Sequence, residues 1–201
     1  RDAGLPELRV AINVSPQQLR RADVAGYLQQ QLTLHGVAAA LIDIEITESA
    51  MVEQTAGVQR QLQRLRELGV RLVIDDFGTG YSSLAQLQRL DVDAIKLDRE
   101  MVQPLQPDSN AESLCRAIVW MASALHLDVV AEGVETQQQL QVLADAGCRE
   151  IQGFLFAGSL PPEEFERMLR RPTPASPDWL VRTNEPAFDD RAKVSRLTST
   201  V

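Results

Sequence analysis

Residues 70–83 read Val70-Arg71-Leu72-Val73-Ile74-Asp75-Asp76-Phe77-Gly78-Thr79-Gly80-Tyr81-Ser82-Ser83. The first five residues form a short, mostly apolar run rich in β-branched side chains, which predicts a buried strand. Two adjacent carboxylates end this run, and a loop with glycines and hydroxyl side chains follows. Acidic groups at a strand end suit divalent metals and a phosphate ester. An isolated Asp pair before glycine more often begins a turn, so the interpretation depends on the rest of the chain.

The composition is that of an ordinary soluble globular protein, with 44% hydrophobic and 24% charged residues. The net charge of −8 argues against a nucleic acid polymer as partner, and an anionic substrate would need bound cations. The two cysteines, Cys115 and Cys148, are far apart in sequence, as expected for reduced thiols in a cytoplasmic domain. No apolar run is long enough to cross a bilayer, so no membrane contact is predicted. The first residue is Arg1 rather than Met, which is consistent with a piece of a longer chain.

Strand and helix patterns alternate along the sequence. The predicted strands are residues 8–12, 41–46, 70–74, 93–97, 128–131 and 150–154. The predicted helices are residues 16–34, a segment with Val58, Leu62, Leu65 and Leu68 on one face, a short helix near 84–90, and residues 111–125, 136–144 and 161–169. Such alternation predicts βαβ units and a parallel sheet.

Polar side chains stand at or near the carboxyl ends of all six predicted strands. They are Asn13, Glu45, Asp75, Lys96, Glu132 and Gln152. Their separations correspond to about one βα unit each, the repeat of a TIM-type barrel, whose chemistry lies at the mouth formed by these strand ends. A doubly wound open sheet is the alternative fold, but its polar groups should concentrate at one switch point.

About residues 8–170 resemble the EAL family of cyclic di-GMP phosphodiesterases. The resemblance rests on Asn13-Val14-Ser15, Glu45-Ile46-Thr47-Glu48, Asp75-Asp76-Phe77-Gly78-Thr79-Gly80-Tyr81-Ser82-Ser83-Leu84, Lys96-Leu97-Asp98, Ala131-Glu132-Gly133-Val134-Glu135 and Gln152-Gly153-Phe154. It implies an α/β fold, a TIM-type (β/α) barrel with about six of its eight strands in this sequence. The expected domain is residues 1–171, with residues 172–201 as a loosely held tail.

The resemblance also implies roles for individual residues. Asn13, Glu45, Asp75 and Glu132 resemble ligands of a divalent metal, and Asp76 would serve a second ion. Oxygen ligands of this kind suit Mg²⁺ or Mn²⁺. Lys96 would act in catalysis beside the attacking water or the phosphate, and Glu48 would anchor the loop after Asp76. Asp98, Glu135 and Gln152 resemble residues of the substrate pocket.

The implied activity is hydrolysis of cyclic di-GMP to linear pGpG. The alternatives are a catalytically inactive cyclic di-GMP receptor or dimerisation module, and a different metal-dependent barrel enzyme of the enolising or aldol type. A homodimer, a cytoplasmic location and upstream GGDEF or sensory domains in a longer chain are also expected. The family's Glu-Ala-Leu motif and two barrel strands lie upstream of Asn13 and are absent here. The strands at 8–12 and 150–154 are therefore predicted to be open sheet edges.

A few other residues are of types that often act in catalysis or ligand binding, but a structural role is predicted for them. His35 and His126 are predicted to lie at helix C-termini, where an imidazolium interacts favourably with the helix dipole. Trp120 and Met121 are predicted core residues of an apolar helix. Cys115 and Cys148 are interpreted as small buried hydrophobes.

Overall fold

The computed structural model describes residues 8–48, 50, 55–78, 87, 91–170 and 199–200. The strands are β1 (Val10–Asn13), β2 (Ile42–Thr47), β3 (Arg71–Phe77), β4 (Ala94–Leu97), β5 (Asp128–Ala131), β6 (Glu150–Ile151) and β7 (Ser199–Thr200). The α-helices are α1 (Pro16–Arg21), α2 (Val24–His35), α3 (Ala56–Leu68), α4 (Arg99–Val102), α5 (Asn110–Ala124), α6 (Gln137–Asp145) and α7 (Pro162–Leu169). The helix predicted near 84–90 lies, apart from Leu87, outside the described residues.

The strands form one sheet in the order β6-β5-β4-β3-β2-β1-β7, and every described pairing is parallel. From β1 to β6, each strand lies beside the next strand along the chain. A doubly wound sheet instead reverses its strand order at a switch point. The consecutive order therefore excludes the alternative fold and matches part of a (β/α) barrel, as predicted.

The two ends of this six-strand run differ from the sequence prediction. β1 is not an open edge along its first two residues, because Val10 and Ala11 pair with Ser199 and Thr200 of β7. β6 ends at Ile151, so the strand predicted over residues 150–154 is shorter than expected. Phe154 lies in the following turn and is 68% exposed.

The two faces of the sheet bury different side chains because successive residues of a strand point in opposite directions. One face packs against the helices through a continuous apolar core that includes Ile44, Leu72, Ile74 and Ile95. The other face carries a mixture of small apolar and charged residues. These include the buried side chains of Ala11, Glu45, Val73, Ala94, Lys96 and Val130. The second face is the inner face of the barrel, and the charged side chains of Glu45 and Lys96 are buried there.

Local signals explain most helix boundaries. Ser15 and Gln18 form a capping box at the start of α1, and Gly36 and Gly69 end α2 and α3 in the left-handed conformation. The single helix predicted over 16–34 is wrong, because α1 ends at Arg21 and the Asp23 carboxylate caps a separate α2. Across the described residues, no helix combines the length and the apolar character needed to span a membrane.

Candidate active site

Four charged side chains meet at the carboxyl ends of β2, β3, β4 and β5. The ammonium group of Lys96 lies 2.7 Å from Glu45 Oε2, 3.1 Å from Asp75 Oδ1 and 2.5 Å from Glu132 Oε1. We call these four residues the mouth cluster. Their strands are neighbours in the sheet, so residues that are far apart in sequence converge on one lysine.

The mouth cluster is buried and its electrostatics are strongly coupled. The side chains of Lys96 and Glu45 are 5% and 4% exposed, while Asp75 and Glu132 are more accessible. Burial raises the pKa of Glu45 and of Glu132, although Lys96 opposes the shift in both carboxyls. Burial alone would lower the pKa of Lys96, but Glu132 and Glu45 outweigh it and raise that pKa above its ordinary value. Lys96 is therefore a fixed cation at neutral pH.

A β-bulge places Asp76 next to this cluster. Ile74 pairs with Ile95 and Phe77 with Leu97, so Asp75 and Asp76 together oppose a single residue of β4. Asp76 adopts the left-handed conformation with φ of 55°, which is uncommon for a residue other than glycine. Burial, Asp75 and Asp98 raise the pKa of Asp76, and Lys96 lowers it. The bulge thus keeps two consecutive carboxylates within electrostatic reach of Lys96, although alternation in a regular strand would separate them.

The other predicted site residues lie around the same mouth. Asn13 is the last residue of β1, is exposed and pairs in register with Glu45. Glu48 directly follows β2 and is buried. Residues 79–86 lie outside the described part of the chain, so the predicted contact of Glu48 with the loop after Asp76 stays a prediction. Asp98 caps α4 by accepting a hydrogen bond of 2.7 Å from the Glu100 backbone nitrogen.

A cavity of about 370 Å³ opens beside the mouth cluster. Its lining includes the polar residues Arg99, Glu132, Glu135 and Gln152. It also includes aromatic side chains, those of Phe154, Phe156 and Phe165. Arg99 and Glu135, both in the lining, form an ion pair of 2.8 Å. The sequence reading did not identify Arg99; its position directly after Lys96-Leu97-Asp98 was the available signal.

The oxygen donors of the mouth fit a divalent cation chemically. Among the described residues, no three His, Cys, Asp or Glu side chains are arranged around a vacant ion position, since the carboxylates close on Lys96 instead. Glu45 Oε2 and Asp75 Oδ1 are nevertheless buried, and within the described part of the chain their partner is this lysine. Asp76 and Asp98 add further negative charge nearby. Carboxylate and amide oxygens are the ligands that Mg²⁺ and Mn²⁺ prefer.

Comparison with known proteins gives consistent relatives. A family model described as the EAL domain matches residues 1–159. The chain is 45% identical over 168 residues to the cyclic di-GMP phosphodiesterase NbdA of Pseudomonas aeruginosa, covering 84% of this chain and 22% of that protein. It is 43% identical over 171 residues to the cyclic di-GMP phosphodiesterase PdeR of Escherichia coli, covering 85% and 26%. The chain thus spans about a quarter of the length of these curated relatives.

Solved structures agree in fold. The EAL domain of Mycobacterium smegmatis DcpA matches with a TM-score of 0.77 and 35% identity, over 84% of this chain and 76% of that one. The PaMucR phosphodiesterase in complex with c-di-GMP matches at 0.73 and 36%, over 78% and 70%. A manganese and cyclic di-GMP complex of Klebsiella pneumoniae BlrP1 matches at 0.71 and 35%, over 78% and 40%. Sequence motifs, strand order and these matches together establish that the chain belongs to the EAL domain family.

Proposed function

We propose that this chain hydrolyses cyclic di-GMP to linear pGpG in a reaction that depends on Mg²⁺ or Mn²⁺. The observation that carries the proposal is the convergence of Glu45, Asp75 and Glu132 on Lys96 at the strand ends of an EAL fold. The names of NbdA and PdeR, and the nucleotide and manganese in the BlrP1 complex, support the substrate and the use of divalent ions.

In this proposal, the oxygens of Asn13, Glu45, Asp75 and Glu132 hold one divalent ion and Asp76 contributes to a second. When bound, such ions lower the pKa of water and polarise the phosphodiester. The burial of Glu45 Oε2 and Asp75 Oδ1, which share the one ammonium group of Lys96, and the excess of carboxylates over cations at the mouth support this assignment.

Lys96 supplies a positive charge that offsets the charge developing on the phosphoryl oxygens. Its carboxylate neighbours Glu132 and Glu45 raise its pKa, which supports an electrostatic role for Lys96. In the hydrolysis, water oxygen bonds to phosphorus, the bond from phosphorus to the 3′ oxygen breaks, and that oxygen leaves with a proton. Glu48 would anchor the loop after Asp76. Asp98, Glu135 and Gln152 would contact the substrate, and the last two line the neighbouring cavity.

The family resemblance extends the proposal to the protein's setting. We propose a homodimer in the cytoplasm, with GGDEF or sensory domains joined to this domain in a longer chain. The net charge of −8 supports a small anionic substrate bound with cations over a nucleic acid polymer. Solution mass and the sequence of the whole gene test these points.

The decisive experiment measures cyclic di-GMP turnover by the purified protein, including whatever sequence flanks these residues in its gene. Formation of pGpG with Mg²⁺ or Mn²⁺, and its loss with a chelator, are expected. Bis(p-nitrophenyl) phosphate serves as a generic phosphodiester and should be hydrolysed far more slowly. Binding of cyclic di-GMP without pGpG formation under any metal condition would instead identify a receptor. Hydrolysis of neither ester and no nucleotide binding would leave the proposal without support.

A further inference from the structure

The loop that carries Glu132 is held by the segment that follows β6. The Val134 backbone nitrogen donates a hydrogen bond of 3.1 Å to the Gln152 carbonyl oxygen, and the Leu155 nitrogen donates one of 3.0 Å to the Val134 carbonyl oxygen. Val134 is completely buried. Gln152 and Leu155, which lie before and after Gly153, therefore both hydrogen-bond to the backbone of Val134. Val134 is two residues after Glu132, whose carboxylate contacts Lys96.

Gly153 lies directly against the Val134 backbone. A Cβ atom on Gly153 would lie 2.1 Å from the Val134 oxygen and 2.3 Å from its nitrogen. Real Cβ atoms essentially never approach closer than 3.0 Å, and a backbone cannot rotate away as a flexible side chain can. Gly153 is not among the glycines with positive φ, so its conformation suits other residues. Only the space for a side chain is missing.

Gly133, in the same loop, shows the contrast. Its φ is 69°, a conformation that residues with side chains rarely adopt, and an added Cβ would meet side-chain atoms of Arg99 rather than backbone. Gly133 is needed for its backbone conformation, whereas Gly153 is needed for a close approach between two backbones. The two glycines therefore predict different consequences of substitution.

The far side of the loop is also fixed. The Gln139 side-chain oxygen accepts hydrogen bonds from the backbone nitrogens of Glu135 and Thr136, at 2.9 and 3.0 Å. Its amide nitrogen donates to the Gln103 carbonyl oxygen at 3.2 Å, and the side chain is buried. A push on Val134 from residue 153 cannot move the whole loop without breaking these bonds. On the near side, the Glu132 backbone nitrogen donates a hydrogen bond of 3.1 Å to the Leu97 carbonyl oxygen, so a displacement of Val134 would be taken up between residues 132 and 134, next to the Glu132 carboxylate.

We propose that Gly153 is a positioning residue that holds the Glu132 carboxylate against Lys96 through the backbone of Val134. The expected loss of turnover rests on the proposed function. The expected displacement of Glu132 rests only on the contacts described above. A misplacement of about 1 Å can lower the rate of a preorganised site by about 10²-fold.

The kinetic experiment compares Gly153→Ala with Gly57→Ala in the whole protein. Gly57 lies in the first turn of α3 and an added Cβ there would meet nothing within 4 Å, so its variant controls for the chemical change. Gly153→Ala is expected to lower kcat by about 10²-fold while KM changes by less than about 3-fold. Gly57→Ala should stay within about 2-fold of the unsubstituted protein. Val58→Ala, a change in the apolar core between α3 and the sheet, controls for the effect of lost stability on turnover.

A double-substitution cycle tests whether Gly153 acts through Glu132. Adding Gly153→Ala to Glu132→Gln should lower kcat by no more than about 2-fold further, because the carboxylate it positions is already gone. Full additivity of the two losses overturns the proposal. A rise in KM alone also overturns it, since Gly153 would then be a site of close substrate approach. Should Gly153→Ala fail to fold, Gln139→Ala releases the same loop and must show the same dependence on Glu132.

A measurement without turnover separates this inference from the proposed function. Hydrogen exchange at the Val134 amide, which donates to Gln152, should be faster in Gly153→Ala and unchanged in Gly57→Ala. A crystal structure of Gly153→Ala should show Glu132 withdrawn from Lys96. If the unsubstituted protein hydrolyses no cyclic di-GMP, the proposed function fails while these two results still decide the positioning role. Unchanged exchange and an unchanged contact between Lys96 and Glu132 overturn it.

Discussion

The strands carry a charged cluster at each end, and the two clusters differ in how their charge is balanced. At the amino ends, Arg71 contacts Asp43 and Glu150 at 3.3 and 3.2 Å and also pairs with Asp128, while Arg9 Nε lies 3.3 Å from Asp43. We call these five residues the base cluster. At the carboxyl ends, Lys96 is the one cation among the described residues that pairs with the three carboxylates of the mouth cluster.

The cations of the two clusters also differ in chemistry. A guanidinium group offers five donors in a fixed planar fork, so Arg71 can bind several carboxylates at once and hold them in place. An ammonium group is a compact point charge with three rotatable donors. Burial raises the pKa of Asp43, but Arg71 and Arg9 oppose the shift. The positive and negative charges of the base cluster are thus nearly equal, which suits a structural network. The mouth cluster has an excess of negative charge, which a bound cation can neutralise.

This comparison predicts that the base cluster matters mainly for stability. Replacement of Arg71 by Met leaves Asp43 buried without its main partner, which should lower the free energy of unfolding by about 3–5 kcal/mol. Urea unfolding followed by circular dichroism measures the change. Turnover per folded molecule should stay within about 2-fold, because the base lies at the opposite end of the strands from the mouth. A loss of turnover without a loss of stability would contradict the structural assignment.

The matched change at the mouth should act on the chemistry. Lys96→Met is expected to lower kcat for cyclic di-GMP by about 10²–10³, with a smaller effect on KM, because the charge matters most in the transition state. Its unfolding free energy should also fall, because Glu45 is as buried as Asp43 and loses its described partner, so turnover is compared per folded molecule. Weakened binding with unchanged turnover at saturation would make Lys96 a docking residue.

Binding of a divalent ion should distinguish the mouth cluster from the base cluster through its effect on the unfolding free energy. A ligand present at 100 times its dissociation constant, and bound only by the folded state, stabilises that state by about 2.7 kcal/mol. Mn²⁺ should therefore raise the unfolding free energy of the unsubstituted protein and of Asp128→Asn, a change in the base cluster. Asp75→Asn should fold normally and lose most of the Mn²⁺-induced gain, together with its turnover. Equal gains in both variants would place the bound ion away from the mouth.

The rate at which the Cys148 thiol is labelled should report on local opening near the base cluster. The effect is expected to be smaller than those of the preceding substitutions. Cys148 lies two residues before Glu150, the first residue of β6, and its sulfur lies 3.4 Å from the Glu150 carbonyl oxygen. Burial raises the pKa of the Cys148 thiol to about 12. Because the folded-state pKa is raised, the neutral thiol favours folding below the ordinary thiol pKa, and this contribution is lost as pH rises toward 12.

Labelling of Cys148 by iodoacetamide at pH 8, followed by peptide mass spectrometry, should therefore be slow in the unsubstituted protein and in Lys96→Met. It should be at least about 10-fold faster in Arg71→Met, where local opening costs less. Equal labelling rates in the two Met variants would mean that the base cluster does not close this end of the sheet.

The strand order and the helix caps illustrate what short stretches of sequence specify. Period-two and period-3.6 patterns predicted six consecutive parallel strands, and Ser15, Gly36 and Gly69 predicted helix ends because a cap depends on residues within one turn. His126 lies at the end of α5 in the left-handed conformation, as its predicted helix-terminal position allows. The break at Asp23 was missed, although its side chain is an N-cap type.

Trp120 shows where a helical pattern is insufficient. It was predicted to be core, and this is wrong: it is 75% exposed, while Cys115, Val119 and Ala122 of the same helix face the core. Met121 is partly buried and packs against the core, as predicted. The rotation of a helix about its axis depends on the elements that it packs against. Of two adjacent apolar residues, one can therefore be exposed and the other buried.

The sequence by itself determined which polar residues stand at strand ends, because each follows its own strand by local alternation, and the motifs made the family evident. Only the tertiary structure decided that Lys96 pairs with three carboxylates, that a bulge keeps Asp76 within electrostatic reach of them, and that Arg71 joins a second cluster at the base. These arrangements depend on strand register and on the stagger between neighbouring strands, which bring together residues 20 or more positions apart. No local pattern encodes those distances.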